Sequence, residues 1–367
     1  MPPPQTVSKR ARIPVGVLGA TGTVGQRLVS LLDGHPWFEL TAVMASERSA
    51  GAPYGEVVSW HLPGEVPAAA AALPVRAAAP DGSLPLLLSA LTTEAAASLE
   101  RPCAQAGSLV VSNASPHRMD ADVPLVIPEV NPGHLALLQA QHLGSGGLVT
   151  NPNCSSIGVT LALAPLAQAF GVQAAHVVTM QAVSGAGLPG VPSLVALDNV
   201  LPLIPGEEDK LETEPARLLG TLVGSGRSAR VEPAELRISA QCNRVAVTDG
   251  HLACISVQLA RRVSEDAVAQ AWNDWRAPAD VAALPSAPAR PVVLLPGDDS
   301  PQPRLHRDLA GGMAVSVGRL RPCPLLQHRF VALVHNTVRG AAGGALLLAE
   351  LLAARGQVPG GWTPPGR

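Results

Sequence analysis

A glycine turn set between a short apolar run and an amphipathic segment constrains this chain most. Ile13-Pro-Val-Gly-Val-Leu18 leads directly into Gly19-Ala-Thr-Gly-Thr-Val-Gly25, with glycines at three-residue steps. From Val24 the pattern becomes helical, because Val24, Leu28, Leu31 and Leu32 share one face. Asp33-Gly34-His35-Pro36 stops that helix, and Glu39–Ala45 reads as a second buried strand. Strand, glycine turn, helix and strand within about thirty residues form the βαβ unit of a dinucleotide-binding fold.

That unit predicts a nucleotide site. Gly19 and Gly22 let the backbone pass close to a pyrophosphate, and the helix start at Thr23 and Val24 offers free N–H groups. Thr21 and Thr23 add hydroxyl donors. The end of the second strand selects the cofactor. There Arg48 stands between Ser46 and Ser49, which suits a 2′-phosphate and hence NADP. Glu47 is the alternative, a carboxylate able to take the ribose diol.

The 367 residues exceed what one small core needs, so two domains are expected. Hydrophobic residues at 47% against charged residues at 15% place the chain among folded globular proteins. A net charge of −2 without long charge runs argues against nucleic-acid and polybasic membrane binding. Five cysteines with no CxxC pair make a disulfide framework or a structural zinc site unexpected. Apolar stretches such as 158–170 and 341–354 are too short to span a bilayer. The Pro-rich, basic lead-in Met1–Arg12 lacks a signal-peptide core, so a cytoplasmic location is expected.

Further runs at 84–89 and 108–112 read as parallel strands, with Leu125–Ile127 a third candidate and 93–106 a helix. Beyond Asn151 the pattern predicts a helix over 155–170 and a strand over 175–181, then a Gly/Pro-rich stretch to about Leu211. Val245–Val247 and Leu252–Leu259 read as strands of an open sheet, and 264–276 as a helix on its outer face. Residues 277–304 read as an irregular Pro-rich crossing loop. Strands at 312–320 and 330–335 and a Leu/Ala-rich helix at 341–354 complete the chain, while the Ala-rich stretch 68–79 reads as a surface insertion.

Cys154, in Asn151-Pro-Asn-Cys-Ser-Ser156, stands just before the helix over 155–170, where the dipole and N–H groups favour a thiolate. Cys103, Cys242, Cys254 and Cys323 lack such surroundings and fit core positions. His251 follows Gly250 at a turn between two strands.

With these motifs in view, the chain resembles the aspartate-β-semialdehyde dehydrogenases, in the branch typical of fungi and archaea. The resemblance runs from about Pro14 to the C-terminal helix. Its carriers include GATGTVGQRL (19–28), ASERSAG (45–51), SNASPHR (112–118), NPNCSS (151–156), QAVSGAGLPGVP (181–192), GEEDKLETE (206–214), SAQCNRVAVTDGH (239–251) and HNTVRGAAGG (335–344). It implies NADPH-dependent conversion of 4-phosphoaspartate to the semialdehyde with release of phosphate. Cys154 would then be the nucleophile that forms a thioacyl enzyme, His251 the general acid/base and Gln181 the residue that orients the acyl group. Arg244 would grip the α-carboxylate and Glu207 the substrate ammonium, with Lys210, Asn113 and Arg118 at the phosphate. Ser184 and Gly185 would pass the nicotinamide, and Asn336 would bond its carboxamide.

The same resemblance implies the architecture. It is α/β, with a Rossmann-type NADP-binding domain of residues 1–152 plus 338–367. The other domain, residues 153–337, is an α+β catalytic and dimerisation unit with a largely antiparallel or mixed open sheet. A homodimer or homotetramer follows. Two alternatives stay open. One is a related phosphorylating dehydrogenase acting on N-acetylglutamyl phosphate or glyceraldehyde phosphate. The other is a non-catalytic NADP-binding sensor.

Overall fold

The computed structural model describes residues 12–362. The lead-in expected over Met1–Arg12 therefore lies outside the described residues, apart from Arg12. The glycine-turn unit forms as its pattern predicts. Strand β1 (Ile13–Leu18), helix α1 (Thr23–Leu32) and strand β2 (Phe38–Ala45) lie in sequence, and α1 buries Leu28, Val29 and Leu32.

Four further parallel strands extend this sheet: β3 (Val75–Ala77), β4 (Leu86–Ser89), β5 (Leu109–Ser112) and β6 (Gly147–Thr150). Their order is β3-β2-β1-β4-β5-β6, so the winding direction reverses between β1 and β4, where such sheets bind ligands at the strand C-termini. Helix α2 (Thr93–Gln105) links β4 to β5.

Two expectations change here. The Ala-rich stretch is no surface insertion, because Ala70 and Val75 are buried in the core and Val75–Ala77 is the sheet's edge strand. Leu125–Ile127 is not a strand. Leu125 makes only an isolated bridge to Thr150, and Leu125 and Ile127 bury themselves with the second core.

Helix α3 (Cys154–Phe170) starts the second half and is buried on almost every side, as its uniformly apolar sequence requires. A mixed sheet surrounds it, in the order β10-β7-β11-β14-β13-β12. Its strands are β7 (Val172–Gln181), β10 (Arg237–Arg244), β11 (His251–Leu259), β12 (Val292–Leu294), β13 (Val315–Pro322) and β14 (His328–Val334). A small hairpin, β8 (Thr221–Val223) with β9 (Arg230–Glu232), stands apart.

Here too the structure corrects the pattern. Val245–Val247 is part of the connection after β10, and the strand lies earlier, at Arg237–Arg244. Arg244 and His251 therefore flank a turn and are not the two ends of one strand. The Pro-rich stretch 277–304 holds a short helical turn, Ala279–Ala282, and the edge strand β12.

Helix α4 (Glu207–Leu218) runs along the outer edge of β10. Glu208 Oε1 accepts the Cys242 N–H at 2.9 Å and Glu212 Oε1 accepts the Ala240 N–H at 2.9 Å. Two carboxylates one helical turn apart thus occupy donors that an edge strand would otherwise expose. Helix α5 (Glu265–Asp274), capped by Ser264, covers the sheet's helix-bearing side through Val268 and Trp272.

The chain then returns to the first sheet. Helix α6 (Gly343–Ala354) is buried along its whole length in the core formed with β1, β2, β4 and α1. Its Glu350 is fully buried and meets His35 Nε2 at 2.9 Å, while the Ser286 N–H donates to it at 3.0 Å. Just ahead of α6, Arg339 pairs with Glu129 at 2.7 Å, both side chains being buried. Among the described residues no helix is long and apolar enough to cross a membrane.

Because α6 completes the first core, Leu347→Ala is expected to cost about 2–5 kcal/mol through the cavity it leaves. A lowered urea midpoint for the variant, followed by circular dichroism, checks this.

Candidate active site

The site is assembled where one end of the mixed sheet meets the start of α3. β7 and β10 run parallel with Gln181 opposite Arg244, and β11 begins at His251. Three side chains predicted from two motifs, Gln181 from one and Arg244 and His251 from the other, therefore leave adjacent strand ends. The Ala182 peptide ties two of them: its N–H donates to His251 Nδ1 at 3.0 Å and its carbonyl accepts from Arg244 Nη1 at 2.9 Å.

This contact fixes the histidine tautomer. Nδ1 faces a donor and must accept, so the proton sits on Nε2. Nε2 is buried and has no hydrogen-bond partner among the described residues. Burial, followed by the nearby Arg244 charge, pushes His251 down to about 3, against the pull of Glu207. The imidazole is thus neutral at pH 7 and presents a single N–H.

Cys154 opens α3. Asn153 caps this helix, its Oδ1 accepting from Ser155 N at 2.9 Å and Ser156 N at 3.2 Å. Asn153 Nδ2 donates to both Glu207 oxygens at 3.0 Å. Its own N–H donates to Glu214 Oε2 at 2.7 Å. Behind the nucleophile the backbone comes very close. A Cβ on Gly340 would lie 2.6 Å from Cys154 Cβ, so only glycine fits there.

Helix-start geometry alone predicts an acidic thiol, but the surroundings reverse it. Burial and then the Glu207 carboxylate push Cys154 up to about 12, and Arg118, the Ser155 N–H and Arg244 offset this only in part. The ligand-free pair is therefore a neutral thiol and a neutral imidazole, with no hydrogen bond between them among the described residues.

Glu207 and Lys210 do share one face of α4, as their spacing predicts, with Nζ 2.9 Å from Oε1. Burial would raise the Glu207 carboxyl, yet Lys210, Asn153 and His251 together hold it below its usual value. Gln181 Nε2 approaches Glu207 Oε2 at 3.4 Å. Arg118 reaches the same region from the first sheet, donating to Glu214 Oε1 at 3.1 Å and to the Asn113 carbonyl at 2.6 Å. Asn113 Oδ1 accepts from Asn151 Nδ2 at 3.0 Å.

On the nucleotide side, Gly19 has φ +76°, and a Cβ there would lie 2.5 Å from the Ala90 carbonyl. One on Gly25 would lie 2.1 Å from the Gly19 carbonyl. Gly22 caps α1 with no side-chain bond, and a Cβ there would meet only the Gly19 carbonyl at an ordinary 3.5 Å, leaving the first-turn N–H groups of Thr23 and Val24 available. Thr21 and Thr23 flank this turn and are partly exposed. Ser46 and Arg48 are exposed at the end of β2 with Ser49 beside them, and Arg48 forms none of the salt bridges among the described residues.

A cleft of about 630 Å³ runs from Thr23, Gln26 and Arg27 to Ser184, Gly187 and Thr337. Ser184 accepts from Asn336 Nδ2 at 2.8 Å, and Asn336 Oδ1 accepts from the Gly250 N–H at 2.8 Å. Gly185 lies under the catalytic cluster: a Cβ there would come within 3.0 Å of both Arg244 and His251. Asn153 and Glu214 were not singled out from sequence. The signal for Glu214 was its place seven residues after Glu207, two turns along the same helical face.

A parallel nucleotide-type sheet joined to a mixed sheet, with a cysteine, a histidine and two arginines gathered at their meeting, has the architecture of a two-domain dehydrogenase. The family models agree: "Semialdehyde dehydrogenase, NAD binding domain" matches residues 14–138 and "Semialdehyde dehydrogenase, dimerisation domain" residues 163–339. The aspartate-semialdehyde dehydrogenase of Methanothermobacter thermautotrophicus is 48% identical over 92% of this chain and 98% of its own length. That of Cryptococcus neoformans is 43% identical over 96% of this chain and its whole length. A crystal structure of the Candida albicans enzyme with NADP superimposes with a TM-score of 0.87 at 39% identity, covering 95% of this chain and all of the other. This chain belongs to the aspartate-semialdehyde dehydrogenase family.

The raised thiol makes a testable statement. Iodoacetamide alkylation of Cys154 in the ligand-free protein should keep climbing above pH 9, where an ordinary cysteine levels off. Removing the opposing carboxylate with Glu207→Gln should raise the rate at pH 7 by about tenfold, the effect of ~1.4 kcal/mol of relieved repulsion. Mass spectrometry of the Cys154 peptide measures both.

Proposed function

We propose that this chain reduces 4-phospho-L-aspartate to L-aspartate 4-semialdehyde with NADPH and releases phosphate, a step of amino-acid biosynthesis. The observation that carries this reading is the convergence of Cys154, Gln181, Arg244 and His251 beside the cleft from the glycine turn. The residues fit NADP. The Gly19–Gly25 turn and uncapped α1 suit a pyrophosphate, and the exposed Arg48, which forms no salt bridge among the described residues, suits a 2′-phosphate together with Ser46 and Ser49.

Arg244 holds the substrate α-carboxylate through its planar fork. Glu207 takes the ammonium, and Lys210, Arg118 and Asn113 surround the phosphoryl group. Cys154 Sγ attacks the acyl carbon. As the C–S bond forms, the acyl C–O bond breaks and phosphate departs with the thiol proton. Gln181 orients the resulting thioacyl group. NADPH, when bound beside Ser184, Gly185 and Asn336, supplies a hydride to the thioester carbon. The His251 Nε2–H hydrogen-bonds the oxygen as it becomes negative, and as the C–S bond then breaks the aldehyde leaves and the Cys154 sulfur regains a proton from solvent. His251 therefore acts as a hydrogen-bond donor to that oxygen, a role its neutral tautomer fits.

We further propose residues 1–152 plus 338–367 as the NADP domain and 153–337 as the catalytic and dimerisation domain, in a cytoplasmic homodimer or homotetramer. The burial of α6 in the first core supports this division. Leu194, Leu197, Val200 and Leu203, each more than half exposed within the matched dimerisation model, support association.

Aspartate semialdehyde, phosphate and NADP together should give a rising NADPH absorbance. Omission of phosphate should abolish it, and NAD should serve poorly. Cys154→Ser should lose turnover and keep NADP binding, and turnover by that variant would sink the thioacyl route. Arg244→Lys should raise the semialdehyde KM about tenfold or more, because lysine cannot reproduce the two-pronged bond.

A further inference from the structure

Glu214 is 2% exposed and has no role in the chemistry derived above. Its two oxygens are divided between two segments of the site. Oε1 accepts from Arg118 Nη1 and Oε2 accepts the Asn153 N–H, immediately before the nucleophile. Arg118 arrives from the loop after β5, in the first sheet, whereas Asn153 begins α3. One carboxylate on α4 thus joins Arg118 to the turn that carries Cys154. Arg217, a turn further along α4, donates to the carbonyls of Asp120 and Val123, so α4 grips the Arg118 loop at two points.

We propose that Glu214 is a positioning residue for phosphate recognition. It holds the Arg118 guanidinium where the departing phosphate must lie, in register with Cys154. The proposal rests on the reaction assigned above. A carboxylate is required because both neighbours are donors. The single carbonyl oxygen of a glutamine serves one of them, and its NH₂ would then face the other's N–H. A buried arginine that has lost its counter-charge is also costly to hold in place.

The test compares wild type, Glu214→Gln and Glu214→Asp in the phosphate-dependent reduction of NADP by aspartate semialdehyde. Inorganic phosphate protection of Cys154 against iodoacetamide is measured alongside. The expected result is a phosphate KM raised about tenfold or more in Glu214→Gln, the loss typical of a charge-assisted bond. The NADP KM should stay within about twofold, and phosphate protection should weaken in parallel. Glu214→Asp, which keeps the charge on a shorter stem, should fall between. If Glu214→Gln fails to fold, the Glu214→Asp shift in phosphate KM and protection decides the matter. An unchanged phosphate KM, or equal losses for phosphate, semialdehyde and NADP, overturns the proposal. Should wild type show no turnover, the assigned reaction fails. The protection assay then still decides whether Glu214 governs phosphate binding.

Discussion

Asn153 is the point on which the rest of the site depends. Its side-chain oxygen ends the orphan N–H groups of α3, its amide nitrogen fastens Glu207, and its backbone N–H fastens Glu214. A single buried residue therefore sets where the long central helix begins, where Cys154 stands, and how α4 lies across the front of the sheet. Each of these bonds satisfies a group that burial would otherwise leave costly. The nucleophile's position follows from polar satisfaction as much as from apolar packing.

The electrostatics follow from that assembly. Burial, more than the surrounding Glu207, Arg118 and Arg244 charges, leaves both the cysteine and the histidine uncharged. Neutrality at rest suits a pocket that must admit a substrate carrying a carboxylate, an ammonium and a phosphoryl group. Fixed charges remain to meet each substituent, while the thiol becomes charged only as it reacts. The Ala182 peptide contributes as much as any side chain, since it dictates which imidazole nitrogen carries the proton. The carbonyl of the same residue holds Arg244, so the His251 imidazole and the Arg244 guanidinium keep a fixed separation.

Much of this was legible in the sequence, and the failures have physical reasons. The glycine turn, α1, β1 and β2 could be read directly because local pattern and tertiary role agree there. Cys154, Gln181, Arg244, Glu207 and His251 were found through their motifs, and the fold brings them together. β10 was missed because Ile238, Ala240 and Cys242 make a weak apolar stripe against Arg237, Ser239, Gln241 and Asn243, as suits an edge strand covered by a helix. Val245–Val247 drew the strand assignment by hydropathy, but its backbone supports the Ser184 loop, with Val183 N bonded to the Val247 carbonyl. β3 hid in an alanine stretch with little side-chain volume to mark it. The elevated thiol was not readable, since it arises first from tertiary burial and then from a glutamate more than fifty residues away.

The placement of α6 bears on how the molecule is made. The first sheet is synthesised early, but the helix that closes its core, Gly343–Ala354, follows only after the whole mixed sheet. Until then the surface around Leu28, Val29 and β1 stays uncovered, while α3 and the mixed sheet can already collapse around one another. The amino-terminal half therefore matures second. A nascent chain stalled before residue 343 would carry a complete mixed sheet beside a nucleotide sheet whose apolar face is still open.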